Sequence, residues 1–260
     1  MTRAERLNAI LELLSAHGRL DVEDTARDLD VSAATVRRDL DNLATQQMLT
    51  RTHGGAVSNS TAYDLPLRYK TARHAPEKRR IAEGASALVS RGMVVGMNGG
   101  TTTSEVARTL ATRPDLAEAG EGSLTVVTNA LNIANELAVR NHVKIVVTGG
   151  VARPSSYELV GSLAARTLEE IALDVAFLGV DALDTENGAM ASHEDEAGIN
   201  RLLAARARVV VVVTDSSKLG RRAFARICRP QEIDILVTDG DAPPGVVAAL
   251  VEAGVDVRCV

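Results

Sequence analysis

Tryptophan is missing from this 260-residue chain, and aromatic residues make up only 2% of it. Proteins that grip single-stranded nucleic acid stack bases on aromatic faces, so the composition argues against that class. Cysteine is scarce too: Cys228 and Cys259 make no disulfide framework and have no metal-ligand spacing. Both read as inert thiols of a protein made for a reducing cytoplasm, and no cofactor or metal is expected. No apolar run approaches the ~20 residues that cross a bilayer, and no signal-like core opens the chain. The expectation is a soluble, cytoplasmic protein. Net positive charge is absent as well, since 29 Lys and Arg face 34 Asp and Glu for a formal charge of −5. That speaks against a polybasic, histone-like binder. The length leaves room for one large or two modest domains, and there is no internal repeat.

What is present at the front is a run of helical signals. Arg6, Leu7, Ile10, Leu11, Leu13 and Leu14 recur at helical spacing, predicting an amphipathic helix over 3–16 that stops at Gly18. Asp21 can cap a short second helix with Val22, Ala26 and Leu29 inward, and Val31-Ser32 is a tight turn into a third. Ser32 caps that third helix, Thr35 and Arg38 fall on one face, and Val36 and Leu40 lie on the opposite, core-facing side. Arg37 and Arg38 then stand at its N-terminal end, where guanidinium forks can pair with guanine edges or phosphates. The segment Leu49-Thr50-Arg51-Thr52-His53-Gly54-Gly55-Ala56 reads as a hairpin wing. The order helix, helix, turn, helix, hairpin is that of a winged helix-turn-helix over residues 1–57, with Ser32, Thr35, Arg37, Arg38, Arg51 and His53 as candidate DNA contacts.

One feature opposes that reading: through Ser58, nine acidic residues outnumber seven basic ones. Affinity for DNA must then come from a local patch and from the avidity of an oligomer. A protein-docking adaptor remains the alternative for these residues. Residues 58–76, polar and holding Pro66 and Pro76, read as an interdomain linker that turns basic toward Arg68, Lys70, Arg73, Lys78, Arg79 and Arg80. These cations are read as a solvated linker and helix start, with contact to flanking phosphates as the sharper possibility.

Beyond the linker, over 77–260, the pattern changes. Apolar runs at 93–97, 124–127, 143–147, 175–178, 209–213, 233–237 and 255–257 alternate with helical stretches. Runs without polar alternation are strands covered on both faces, so the expectation is a doubly wound, mostly parallel, Rossmann-like α/β sheet. In such sheets small molecules bind beyond the carboxyl ends of the strands. Those ends carry Asn98-Gly99-Gly100-Thr101-Thr102-Thr103, then Asn129, Gly149-Gly150, Asp181, and Asp215 with Lys218. Small residues before a helix start make a phosphate cradle, though neither a dinucleotide fingerprint nor a Walker loop. A lysine beside it, with Asp and Asn to hold hydroxyls, describes a site for a small phosphorylated sugar. Glu194, Asp195 and Glu196 are read as the acidic start of a helix, and His193 as an exposed loop residue.

Arg6, Ile10 and Leu14, then Ser32, Thr35, Arg37-Arg38-Asp39-Leu40 and His53-Gly54-Gly55-Ala56, resemble the signature of DeoR-type bacterial transcription regulators. The second half resembles the same family through Gly100-Thr101-Thr102, Thr128-Asn129, Gly149-Gly150, Asp174 to Gly179, Gly188 and Asp215-Ser216-Ser217-Lys218. The resemblance implies a sensor domain similar to sugar-phosphate isomerases, and repression of a sugar-catabolism operon relieved by a phosphorylated sugar. It also implies operator DNA held by a dimer or tetramer. Asn98 departs from the family pattern, which usually has Asp there, and leaves a neutral side chain where a carboxylate would hold a hydroxyl. The rival expectation is an aldose–ketose phosphate isomerase, drafting Asp181 or Glu194 with Lys218; against it, the isomerases' lysine- and glycine-rich catalytic segment is not found, and an enzyme has no need of residues 1–57.

Overall fold

The computed structural model describes residues 2–45, 48–58, 67, 73–120 and 122–260. The chain divides into two compact units, 1–69 and 70–260. Most of the expected linker, 59–66 and 68–72, lies outside the described residues, as do Arg68 and Lys70.

In the first unit, α1 (Arg3–His17) opens with a capping box between Thr2 and Glu5 and closes on Gly18 in the left-handed region. The chain then forms β1 (Arg19–Asp21), α2 (Val22–Asp28), α3 (Ala33–Thr45), β2 (Leu49–Thr52) and β3 (Gly55–Ser58). Asp21 caps α2 by accepting from the backbone of Glu23 and Asp24, as its position predicts. The wing is a three-stranded antiparallel sheet in the order β1-β3-β2, one strand more than the expected hairpin. Ile10, Leu11, Leu14, Val36, Leu40, Leu43, Leu49 and Ala56 form its core. Burying each of the large side chains is worth roughly 1.5–3 kcal/mol.

The second unit is built on a seven-stranded sheet of β4 (Val94–Met97), β5 (Leu124–Thr128), β6 (Val143–Val147), β9 (Leu173–Leu178), β12 (Ala207–Val213), β14 (Ile235–Thr238) and β15 (Asp256–Cys259). Its order is β15-β14-β12-β9-β4-β5-β6, every pairing is parallel, and its strands are the seven apolar runs. Helices α4 (Ala75–Ser86), α5 (Thr101–Thr112), the short α6 (Pro114–Ala117) and α7 (Leu131–Leu137) cover one face. The other is covered by α8 (Ser162–Glu169), α9 (Glu194–Arg206) and α10 (Pro244–Glu252). Two small antiparallel additions ride on this sandwich: the pair β7 (Val151–Ala152) and β8 (Leu159–Val160), and the sheet of β10 (Ala182–Asp184), β11 (Gly188–Ala191) and β13 (Ala225–Cys228). Strand order reverses between β4 and β9. That makes the carboxyl ends of these two strands the topological switch point, where an open α/β sheet leaves a crevice.

Candidate functional site

On the first unit, Ser32 caps α3 by accepting the Thr35 backbone N–H at 3.2 Å, and the two hydroxyls lie 2.9 Å apart. Val36, Leu40 and Leu43 are buried, which turns Arg37 and Arg38 to solvent. Their circumstances differ. Arg37 reaches back to α2 and pairs with Glu23 at 2.8 Å, whereas Arg38 has no partner among the described residues. His53 is exposed at the wing turn. Arg51 is committed elsewhere: its Nε donates to Asp41 on α3 at 2.8 Å and a terminal nitrogen to the Gly55 carbonyl at 2.5 Å, strapping the wing to α3.

Asp39 was missed as a structural element. It is buried and accepts from Arg6 Nε at 2.5 Å, locking α3 to α1. The signal was present in the sequence, since Asp39 falls three residues after Val36 and four before Leu43, on the inward stripe of the helix.

At the switch point of the second unit, β4 leads into Asn98-Gly99-Gly100 and β9 into Gly179. The expectation that Asn98 offers its amide to a ligand needs correction. Its side chain is 1% exposed, its Nδ2 donates to the Gly179 carbonyl at 2.9 Å and its Oδ1 accepts the Gly179 N–H at 2.8 Å. Asn98 is a two-bond clamp holding the ends of β4 and β9 together, and aspartate has no donor for half of it. Gly100 sits at φ +154°, where a Cβ would come within 2.9 Å of Thr103 Oγ1, so the turn into α5 requires glycine. Thr103 is corrected too: it is fully buried and its hydroxyl donates inward to the Gly100 carbonyl at 3.1 Å. Thr101 and Thr102 have no side-chain hydrogen bond among the described residues, and Gly99, Gly100 and Thr101 remain half-exposed.

The other strand ends are framed similarly. Asp181 accepts the Ser192 N–H at 2.8 Å, and Asp215 caps the turn Ser216–Lys218 by accepting the Ser217 N–H at 3.2 Å. Asp239 accepts the Ser216 N–H of that turn at 2.6 Å. Gly150 packs where a Cβ would meet the Val160 carbonyl at 2.6 Å, so it shapes the β6–β7 turn; Gly149 has open space around it but a φ of +73°. Asn129 is fully buried, its Nδ2 donating to the Leu159 carbonyl at 3.4 Å.

Two charged groups that sequence reasoning did not single out are buried near these strand ends. Lys78, read as part of a solvated helix start, is only 4% exposed. Burial pushes its ammonium down to about 8, and it is close enough to Asp215, Lys218 and Glu105 to feel their charges. Lys218 belongs to the turn after β12, and Lys78, whose Nζ donates to the Arg73 carbonyl, comes near it from α4. Glu158 is also buried, at 3% exposure, its Oε1 accepting the Gly99 N–H at 2.7 Å. Burial, and then the nearby Glu196 carboxylate, hold its carboxyl well above the usual range, favouring the protonated form. Glu196 in turn pairs with Arg153 at 2.8 Å. Glu194, Asp195 and Glu196 open α9 as expected of helix-starting acids.

Comparison with known proteins bears on both units. The model of a DeoR-like helix-turn-helix domain matches residues 6–62, and that of the DeoR C-terminal sensor domain matches residues 73–240. A putative aga operon transcriptional repressor of Escherichia coli O157:H7 is 34% identical over 98% of this chain and 93% of its own. The glycerol-3-phosphate regulon repressor of Escherichia coli K12 is 30% identical over 97% of both chains. Among solved structures, ribose 5-phosphate isomerase A from Methanocaldococcus jannaschii is 22% identical over 56% of this chain and 55% of its own, with a TM-score of 0.42, a likeness too loose to bear on chemistry. With both halves matched and relatives aligned from end to end, the chain belongs to the DeoR family of transcriptional regulators.

Proposed function

We propose that this regulator represses an operon of sugar or polyol catabolism from the cytoplasm, as a dimer or tetramer, and that a phosphorylated sugar binding its second unit modulates its hold on double-stranded operator DNA. DNA is read by Arg38 and Arg37 from α3, with Ser32, Thr35 and His53 at the margins; Arg51 serves by holding the wing in place. The effector's phosphate sits at the start of α5, against the turn of Gly100 and Thr101, with Lys218 and Lys78 supplying positive charge nearby. The observation that carries this reading is the half-exposed glycine turn at the topological switch point, opening a twelve-residue helix, with Lys218 in the turn after β12 and Lys78 of α4 within range of its charge. The polar groups around that turn are mostly engaged in holding the backbone, and no catalytic role is assigned to them. The effector shifts operator affinity only insofar as it binds one arrangement of the protein better than another.

The test is titration of fluorescent operator DNA by the purified protein, with and without a panel of phosphorylated sugars. Arg38→Ala should weaken operator binding by ~1–3 kcal/mol, and a phosphorylated sugar should change wild-type affinity. Unchanged affinity in Arg38→Ala removes the recognition-helix assignment; turnover of any sugar phosphate makes the protein an enzyme.

A further inference from the structure

At the edge of the seven-stranded sheet opposite β6, β15 pairs with β14 and with no other strand among the described residues. Asp256 N–H donates to the Asp234 carbonyl and Val260 N–H to the Thr238 carbonyl, so the even-numbered residues turn their backbone groups inward to β14. Those of Val257 and Cys259 therefore point outward along an open edge. Exposed N–H and C=O groups pair readily with another strand, and proteins that must avoid this blunt their edges with proline, lysine or a bulge. β15 has none of these. Its two charges, Asp256 and Arg258, are of opposite sign and lie 2.9 Å apart on one face of the strand.

The helix that precedes this strand is also poorly covered. α10 has the sequence PGVVAALVE, yet of its residues Leu250 alone is buried. Pro244, Ala248 and Val251 are exposed, and spacings of four and three put them on one line of the helix. Val246, Val247 and Val257 pack against the same core cluster, so α10 lies on the face of β15 to which Val257 turns.

Charge decides what fits this edge. A strand added antiparallel from a second copy, about a two-fold axis, can centre on Asp256, Val257 or Arg258. Centring on Asp256 sets carboxylate against carboxylate and calls on the Val255 N–H, which already donates to the Leu250 carbonyl at 3.0 Å. Centring on Arg258 sets guanidinium against guanidinium. Like charges directly opposite destabilise a pair of strands, and opposite charges stabilise it. Centring on Val257 sets Asp256 opposite Arg258 of the partner subunit, twice by symmetry, and uses the outward N–H and C=O of Val257. The other edge, β6, has the sequence VKIVV, whose single charge, Lys144, supplies no such complement.

We propose that β15 and α10 form an interface between two copies of this chain, β15 pairing antiparallel with β15 of the partner subunit about a two-fold axis at Val257, and the exposed line of α10 being covered by the partner. Such a contact is isologous, each copy giving the same surface, so one complementary pair of charges serves twice. The inference rests on the oligomer in the reading above and goes beyond it by naming the surface and the register.

Sedimentation equilibrium of the full-length protein tests this by exchanging the charges. Asp256→Arg puts arginine opposite arginine, and Arg258→Asp puts aspartate opposite aspartate, at both symmetric positions. Each variant alone should self-associate at least about tenfold more weakly than the wild-type protein. Its melting temperature should change little at low protein concentration, because the two side chains are 55% and 45% exposed. An equimolar mixture of the two variants sets arginine against aspartate again and should associate as tightly as the wild type. Should either variant fail to fold, Val251→Glu puts a charge on the exposed line of α10 and should weaken association to a similar degree. Self-association unchanged in these variants, or a mixture as weak as its components, overturns the proposal and leaves the wild-type oligomer to another surface. A wild type that is monomeric at every concentration overturns it too, and takes the oligomer out of the functional reading with it.

Discussion

The two units manage the polar groups around their candidate sites in opposite ways. In the first, charges sit on the surface and pair with one another: Arg37 with Glu23, Arg51 with Asp41, Arg27 with Asp24. The excess of acids through Ser58 is therefore not a field that repels DNA uniformly; much of it is matched locally, and Arg38 stands clear of it. In the second unit the polar groups are drawn inside, to the carboxyl ends of the strands. Asn98, Thr103, Asp215 and Asp239 are buried and hydrogen-bonded to backbone. A surface that reads a large polymer keeps its reading groups extended and exchangeable. A pocket that reads a small molecule must first hold its own backbone in shape, and most of its polar residues do that work.

The buried Arg6–Asp39 ion pair of the first unit, which locks helix to helix, offers the sharpest break in this contrast. Asp39→Ala strands Arg6, which is only 15% exposed at its side chain, without its carboxylate. Loss of one partner from such a pair costs roughly 3–5 kcal/mol. Hydrogen exchange should show α1 and α3 losing protection while the seven-stranded sheet keeps its own; equal loss in both units would mean that they do not divide as their cores suggest.

The corresponding change in the second unit is Asn98→Ala, which leaves both backbone groups of Gly179 without partners at the switch point. A loss of about 1–3 kcal/mol in denaturant stability is expected, together with loss of the effector response and little change in operator affinity. Normal effector affinity in this variant would show that the clamp does not shape the pocket.

A third prediction uses protonation. Lys78 titrates near 8 in the folded protein against 10.5 for a free lysine, so the unliganded native state binds fewer protons than the unfolded state in that window. Its contribution to stability therefore rises with pH from about 8 to 10.5. A phosphate beside Lys78 favours the charged lysine, so binding above pH 8 takes up a proton, and effector affinity should fall by up to about tenfold per pH unit. Calorimetric titration in buffers of different ionisation enthalpy measures this uptake. Lys78→Met should abolish it, and an unchanged pH dependence in that variant would place the phosphate elsewhere.

How much of this was legible in the sequence follows the same division. The helices, the cap at Asp21 and the inward stripe of α3 are local, set by periodicity and capping, and all seven strands of the sheet coincide with the apolar runs. The small strands β7, β8, β10, β11 and β13 were not anticipated, because two to four residues carry no period. At the sites, the exposed Arg37, Arg38 and His53 stand where helical spacing and the hairpin put them, although the pairing of Arg37 with Glu23 depends on a tertiary approach of α2 to α3. At the strand ends the sequence marked the turns but not what their side chains face. Asn98 was read as facing a ligand and faces Gly179. Lys78 and Glu158 escaped notice because a charged residue in a helix start or a short hairpin carries no local sign of burial; tertiary packing alone buries them near the strand ends.

The smallest expected effect concerns the Arg37–Glu23 pair, whose side chains are 54% and 64% exposed. An ion pair so open to water is worth only about 0.2–1 kcal/mol, little enough for Arg37 to exchange it for a phosphate or a guanine edge if it reads DNA as proposed. Glu23→Gln removes both the competitor and one negative charge beside Arg37. Operator affinity should rise by no more than about fivefold, the gain shrinking as salt is added, because screening weakens the competing pair along with every other exposed contact. Anisotropy titrations across a potassium chloride series measure this. If affinity falls instead, Glu23 orients Arg37 toward the groove, and the surface pairs of the first unit are positioning devices like the buried bonds of the second.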